Sequence, residues 1–239
     1  MPQRSTSRLH QAYAAIRGTA LQAAADVARG VHAAGGSPPA KPSPAEVRGL
    51  KRREAAALLA WARRERLLLD DAAFTRNWIA QGSIGGQEND VFLRGGRVLK
   101  RNNLCFHLSY ADFFDRLALH NLLFPGAPLS LEGFVQHDAE LLPVMSQPAV
   151  RAQRGANRAE VAALMRQLGF EHVRNDDYRH PEGILVEDLH DENVFIDAEG
   201  EVVLIDPVIY LEGARPVTKT ASSRSRHPSR RSLLPGDVR

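Results

Sequence analysis

Val186-Glu187-Asp188-Leu189-His190-Asp191-Glu192-Asn193-Val194-Phe195-Ile196, then Asp197-Ala198-Glu199-Gly200, then Val202-Val203-Leu204-Ile205-Asp206-Pro207, is the stretch that decides how this chain reads. Two short apolar runs flank a polar, glycine-containing turn, the pattern of a β-hairpin. Asn193 stands just before the first strand and Asp206 just after the second, so the hairpin brings them to one end. Asp188 lies five residues before Asn193, on the tight loop that feeds the hairpin. Asp and Asn are common turn formers beside strands. Their joint spacing here says more: two carboxylates and one carboxamide converge as hard oxygen donors, which suit Mg²⁺.

Outward from this stretch the local signals are clear. Ile184-Leu185-Val186 reads as a short buried strand entering the loop. Residues 158–168 read as a helix, with Asn157 and Glu160 spaced as a capping box and Gly169 at the stop position. Phe134-Val135 and Leu141–Met145 predict two strands, and residues 109–123 an amphipathic helix capped by Ser109. Further upstream, Gly82, Gly85 and Gly86 precede Val91-Phe92-Leu93. Arg94-Gly95-Gly96-Arg97 then predicts a two-residue hairpin turn, and Val98-Leu99-Lys100 the returning strand. Residues 45–66 predict a charged amphipathic helix, residues 34–44 a Pro/Gly linker, and residues 5–32 an Ala-rich helix.

Bulk properties exclude several classes. Hydrophobic residues at 44% and charged residues at 25% describe a globular chain. No apolar run approaches membrane-spanning length, so no membrane association is expected. The first residues lack a signal-peptide layout, and the single cysteine, Cys105, forbids an internal disulfide; a reducing, cytoplasmic setting is expected. None of the nine histidines has zinc-ligand spacing to Cys or His. Residues 215–239 hold seven Lys/Arg and one acid, whereas the whole chain is only +3. The basicity therefore belongs to one segment, so a nucleic-acid tether, kept as an alternative reading, would run through it alone.

The quoted stretch resembles a kinase catalytic loop followed by a metal-binding Asp. D-L-H-x-x-N followed by Leu204-Ile205-Asp206 is similar to aminoglycoside phosphotransferase-like kinases, and Ile205-Asp206-Pro207 to fructosamine-kinase-type members. From Gly82 to Tyr210 the chain also resembles the polyvalent-protein kinase domain of large phage and conjugative-element polypeptides. That resemblance rests on Gly86 to Val91, on the hairpin ending in Lys100, on residues 116–125 (RLALHNLLFP), and on LeuHisAspGluAsnVal with IleAspProValIle.

The resemblance implies an α+β, protein-kinase-like bilobal fold. Its small lobe would span 81–149 and a reduced C-terminal lobe 150–213. An Ala-rich helix with linker (1–45) and an amphipathic helical region (46–80) would come first, and a disordered basic tail (214–239) last. It further implies ATP and Mg²⁺ as cofactors and an unidentified hydroxyl acceptor, a small molecule or a protein, inside a cell that hosts a mobile element. Asp188 would orient or deprotonate the acceptor hydroxyl, and Asn193 and Asp206 would hold the metal. Lys100 would pair with the phosphates. Gly85, Gly86, Gln87, Glu88, Asn89 and Val91 would cover the nucleotide. Asp115, with Asp112 second, stands for the helix acid that partners Lys100.

Departures from the usual kinase pattern are visible. Val186-Glu187 replaces the His-Arg before the catalytic Asp, and Pro207-Val208 replaces the Phe-Gly after the metal Asp. Proline at 207 disfavours a helical Asp206 and so a flip-type switch there. These departures keep a second reading open, a pseudokinase-type module that binds nucleotide or a partner without turnover.

Overall fold

The computed structural model describes residues 5–35, 42–80, 84–85 and 87–212. Gly82, Gly86, most of the Pro/Gly linker and the basic segment from 213 onward lie outside the described residues. The described chain is mixed α+β, with six helices and three antiparallel sheets, in two compact units that divide between Ala149 and Val150.

The first unit opens with α1 (Ser5–Ala15) and α2 (Ala20–Gly35), where one continuous helix was expected. Gly18 is the reason. It takes a left-handed φ of +78°, and Thr19 then caps α2, its Oγ1 accepting the Gln22 N–H at 3.2 Å. α3 (Pro44–Arg64) starts on Ser43 with a complete Ser43/Glu46 capping box and Pro44 in its first turn. α4 (Asp71–Ala80) follows. Next come β1 (Ile84–Gly85), β2 (Asn89–Arg94), β3 (Arg97–Asn102), α5 (Tyr110–Leu123), β4 (Ser130–His137) and β5 (Glu140–Pro148). The sheet order is β1-β2-β3-β5-β4. Gly95 and Gly96 have φ of +56° and +76°, as the expected two-residue turn between β2 and β3 requires.

One face of this sheet packs Phe92, Val135, Leu142 and Val144 against Phe74 of α4. Along β3, Leu99 and Arg101 point to that face: Leu99 packs against the cluster, and the Arg101 guanidinium lies 5.0 Å from the Phe74 ring centre. Strand periodicity therefore turns Lys100 and Asn102 to the opposite face. α1 and α2 pack on α5 through small residues, with Ala12, Ala24, Ala25 and Ala28 fully buried, so the helices approach closely. Glu54 of α3 is fully buried. Its carboxylate meets His32 Nε2 at 2.6 Å and accepts the Tyr110 N–H at 2.8 Å, at the electropositive start of α5. Burial pushes the Glu54 carboxyl up from its ordinary value, against the opposing pull of His32 and those N–H groups.

The second unit holds β6 (Arg154–Gly155), α6 (Arg158–Gln167), β7 (Glu171–Arg174), β8 (Asp177–Arg179), β9 (Ile184–Glu187), β10 (Val194–Ile196), β11 (Val202–Leu204) and β12 (Val208–Leu211). α6 carries the expected capping box, and Gly169 follows it at φ +84°. The strands form two sheets, β11-β10-β6 and β12-β9-β8-β7. The β10–β11 hairpin is the expected one, with Val194 opposite Leu204. β7, β8 and β12 are additions to the sequence reading. All four residues of β7 are exposed, so they carry no apolar alternation, and β12 pairs with β9 across more than twenty residues of sequence.

Candidate functional site

The Asp188–Asn193 loop leaves β9 and enters β10. Asp188 has φ of +68°, a left-handed conformation that short polar residues tolerate best. The loop is closed by Asn193 N–H and Val194 N–H, which both reach the His190 carbonyl at 2.9 and 3.1 Å. The Asn193 side-chain amide donates to the Asp188 carbonyl at 3.0 Å and to Asp188 Oδ2 at 3.4 Å. The same nitrogen lies 3.2 Å from His190 Nε2, so the Asn193 side chain is held inside the loop. Ile205 N–H donates to the Asn193 carbonyl at 3.0 Å, extending the β10–β11 ladder by one step. That step places Asp206 at the hairpin end where Asn193 stands.

His190 braces the same loop. Its Nδ1 receives the Glu192 N–H at 3.2 Å, and its Nε2 lies 3.2 Å from Asn193 Nδ2. Nε2 lies 3.6 Å from Asp188 Oδ1. Glu187, the unusual residue before Asp188, is buried in the β9–β12 pair, where its carboxylate accepts the Tyr210 hydroxyl.

In the first unit, Lys100 is buried, opposite Val91 on β2 and Met145 on β5. Gly85 pairs with Asp90 through β1 and β2. Glu88 was expected only as part of a nucleotide cover. Its side chain reaches inward, meeting His107 Nε2 at 2.7 Å and Asn102 Nδ2 at 3.0 Å, which leaves the backbone to face the nucleotide in that expectation. Asn102 also donates to Asn89 Oδ1 at 2.9 Å, and the Gln87 carbonyl accepts Asn103 Nδ2 at 2.9 Å. The segment 87–89 is thus pinned to the β3–α5 connection on the face that carries Lys100. Asn102, at the end of β3, and His107, in the connection that follows, are additions to the sequence reading, because an isolated Asn and His carry no spacing signal.

The helix acids are corrected by their contacts. Asp115 was expected to partner Lys100, but its Oδ1 receives Arg29 at 2.5 Å and the Tyr13 hydroxyl at 2.7 Å, tying α5 to α1 and α2. Burial raises its carboxyl above the ordinary value, with Arg29 and Tyr13 pulling the other way. Asp112 holds Arg116 at 2.9 Å and accepts the Leu108 N–H at 3.0 Å.

A family model described as a serine/threonine/tyrosine kinase found in polyvalent proteins matches residues 51–213. The chain belongs to this family. No curated protein and no solved structure matches it. The matched span of the polyvalent-protein kinase begins within α3, runs through β12 and leaves α1 and α2 outside.

A polyvalent-protein kinase implies ATP and Mg²⁺, and the loop can be tested for the metal. Among the described residues no group of three or more His, Cys, Asp or Glu side chains is placed to hold an ion. Mg²⁺ needs no such cluster, since one or two protein oxygens plus phosphates and water complete its octahedron. Asn193 Oδ1 and the Asp206 carboxylate are hard oxygen donors, the chemistry that ion takes. Among the described residues no helix is long and apolar enough to cross a membrane.

The pinned loop carries a pH prediction. Burial alone would raise Glu88 and Asp112, but the neighbouring His107, the Arg116 charge and nearby donors hold both below their ordinary values of 4.5 and 3.8. Groups with depressed folded pKa contribute stability above the unfolded pKa and lose it as pH falls through the folded one. Thermal stability should therefore fall progressively below about pH 4.5. Glu88→Gln should flatten that fall. Parallel Tm-against-pH curves for wild type and variant would remove Glu88 from the account.

Proposed function

We propose that this chain transfers the γ-phosphoryl group of ATP to a hydroxyl, with Mg²⁺ as the metal. The observation that carries the reading is the loop in which left-handed Asp188 and Asn193 are bonded to each other at the root of the hairpin that ends in Asp206. Such a site works by positioning and by neutralising charge, so it needs few reactive side chains. Asp188 orients the acceptor hydroxyl and takes its proton. Asn193 and Asp206 hold the metal, whose charge offsets that of the phosphates when bound. Lys100 contributes a buried cation from β3 to the phosphates, and Gly85 through Asn89, with Val91, cover the nucleotide from β1 and β2. In this reading residues 81–149 act as the small lobe and 150–213 as a reduced large one.

The family description points to Ser, Thr or Tyr side chains as acceptors, and its polyvalent setting to a mobile genetic element in a bacterial cytoplasm. The kinship to aminoglycoside phosphotransferase-like enzymes rests on the D-L-H-x-x-N and L-I-D residues alone. Glu187 does not argue for an inactive module, because its carboxylate is turned to Tyr210 inside the sheet. The test is label transfer from γ-labelled ATP to protein hydroxyls. Transfer should require Mg²⁺ and stop with EDTA. Nucleotide binding without any transfer would favour the pseudokinase reading, and no binding would end both.

A further inference from the structure

A cavity of about 600 Å³ lies within the second unit, between α6, the β7–β8 turn and the loop residues Leu189, His190 and Asp191. That volume suits one or two amino-acid side chains rather than a folded surface. Val161 and Tyr178 supply apolar wall, and Asp176 and Asp191 supply carboxylates. Among the described residues Asp176 pairs loosely, at 3.7 Å, with Arg158, which also lines the cavity and whose side chain is 91% exposed and so free to swing away. His190 forms wall on one side and stands 3.6 Å from Asp188 Oδ1 on the other. A side chain seated in the cavity therefore sits one residue away from Asp188.

The chain itself carries a segment of matching chemistry. Residues 215–239 hold seven Lys/Arg and one acid. Within it, Ser225 follows Arg224, Ser229 comes three residues after Arg226, and Ser232 follows Arg230-Arg231. The segment also leaves from the right unit. β12 places Leu211 opposite Ile184, and Asp188 is four residues further along that neighbouring strand, about 13 Å at strand rise. β7 lies three strands across from β12, about 14 Å. From Glu212, thirteen residues reach Ser225, a contour of about 43 Å, enough to double back to the loop.

We infer that residues 225–232 of this chain are a phosphorylation substrate of its own second unit, with their arginines seated against Asp176 and Asp191. The inference rests on the kinase reading above and names the substrate of that site. In the step, a serine Oγ bonds to the γ-phosphorus of ATP while the bond from that phosphorus to its bridging oxygen breaks. ADP leaves with the electron pair, and the hydroxyl proton passes to the Asp188 carboxylate. Each phosphate adds about −1.5 to −2 charges, so three would cancel most of the segment's positive charge. The product then loses its attraction to the two carboxylates and leaves the cavity.

The full chain is incubated with Mg²⁺ and γ-labelled ATP, and the labelled residues are mapped by mass spectrometry. Label is expected on Ser225, Ser229 or Ser232, at a rate per molecule that does not change with protein concentration. Replacing Arg226, Arg230 and Arg231 together by Ala, or Asp176→Lys alone, should slow this labelling about tenfold relative to ATP hydrolysis by the same variant. ATP turnover with labelling of an added serine peptide but none at 225–232 overturns the inference and leaves the kinase reading standing. A labelling rate that climbs with protein concentration overturns the same-chain assignment. No turnover of any kind removes the kinase reading and this inference with it.

Discussion

Asp188→Asn is expected to lower phosphoryl transfer by about three orders of magnitude while leaving the fold and nucleotide affinity in place. The size follows from what a positioned base contributes, on the order of 10²–10⁴ in rate. The selectivity follows from the local geometry. Asp188 sits at φ +68°, and Asn adopts that conformation as readily as Asp. The firmer of the two bonds from Asn193 ends on the backbone carbonyl of residue 188, which the substitution keeps. Only the carboxylate's capacity to accept a proton is lost. Asp188→Ala confounds the test, since an alanine there adds left-handed strain of about 1–2 kcal/mol. The comparison needs ATP turnover, nucleotide affinity and Tm on the same preparation. Turnover within threefold of wild type, with unchanged affinity, would take the catalytic role away from Asp188.

What the sequence could and could not reveal divides along the range of the interactions. Gly95-Gly96, Asn157 with Glu160, and the run from Asp188 to Asp206 are local patterns, each satisfied within a few residues or one hairpin, and each forms as read. Gly18-Thr19 was equally local, but alanine periodicity on both sides hid a stop and a cap in adjacent positions. The partner of Asp115 is different in kind. Arg29 and Tyr13 are 86 and 102 residues away, and nothing in the spacing of α5 announces them. β12 shows the same limit, because Pro207 reads as an ending and the pairing with β9 is non-local. The direction of the Glu88 side chain was also beyond reach, since a strand-edge acid can face solvent or a neighbour, and His107 decides it. Turns, caps and the hairpin, which local spacing defines, were therefore legible. Contacts defined by which face meets which helix were not.

Gly133→Ala is expected to be among the most damaging small substitutions in the first unit, costing about 3 kcal/mol, or about 10 °C in Tm. Two causes combine. Gly133 takes φ of +151° at an irregularity in β4, a backbone state alanine avoids, and an added Cβ would stand 2.3 Å from the Leu67 carbonyl oxygen. That oxygen cannot swing aside as a long side chain would. It accepts the Phe134 N–H at 2.8 Å, while Leu69 N–H returns to the Phe134 carbonyl at 2.7 Å. The stretch Leu67–Leu69 thus closes the open edge of β4, which would otherwise offer unpaired groups. Phe134 beneath it is fully buried, edge-on to Trp61 and Phe114, so a shift of the strap disturbs the core. Gly96→Ala separates the two causes. Gly96 also has positive φ, +76°, but a Cβ there meets nothing within 4 Å, so only strain of about 1–2 kcal/mol remains. A larger Tm loss for Gly133→Ala than for Gly96→Ala isolates the clash with the strap. Equal losses would mean that the strap yields and the edge of β4 is not held by it.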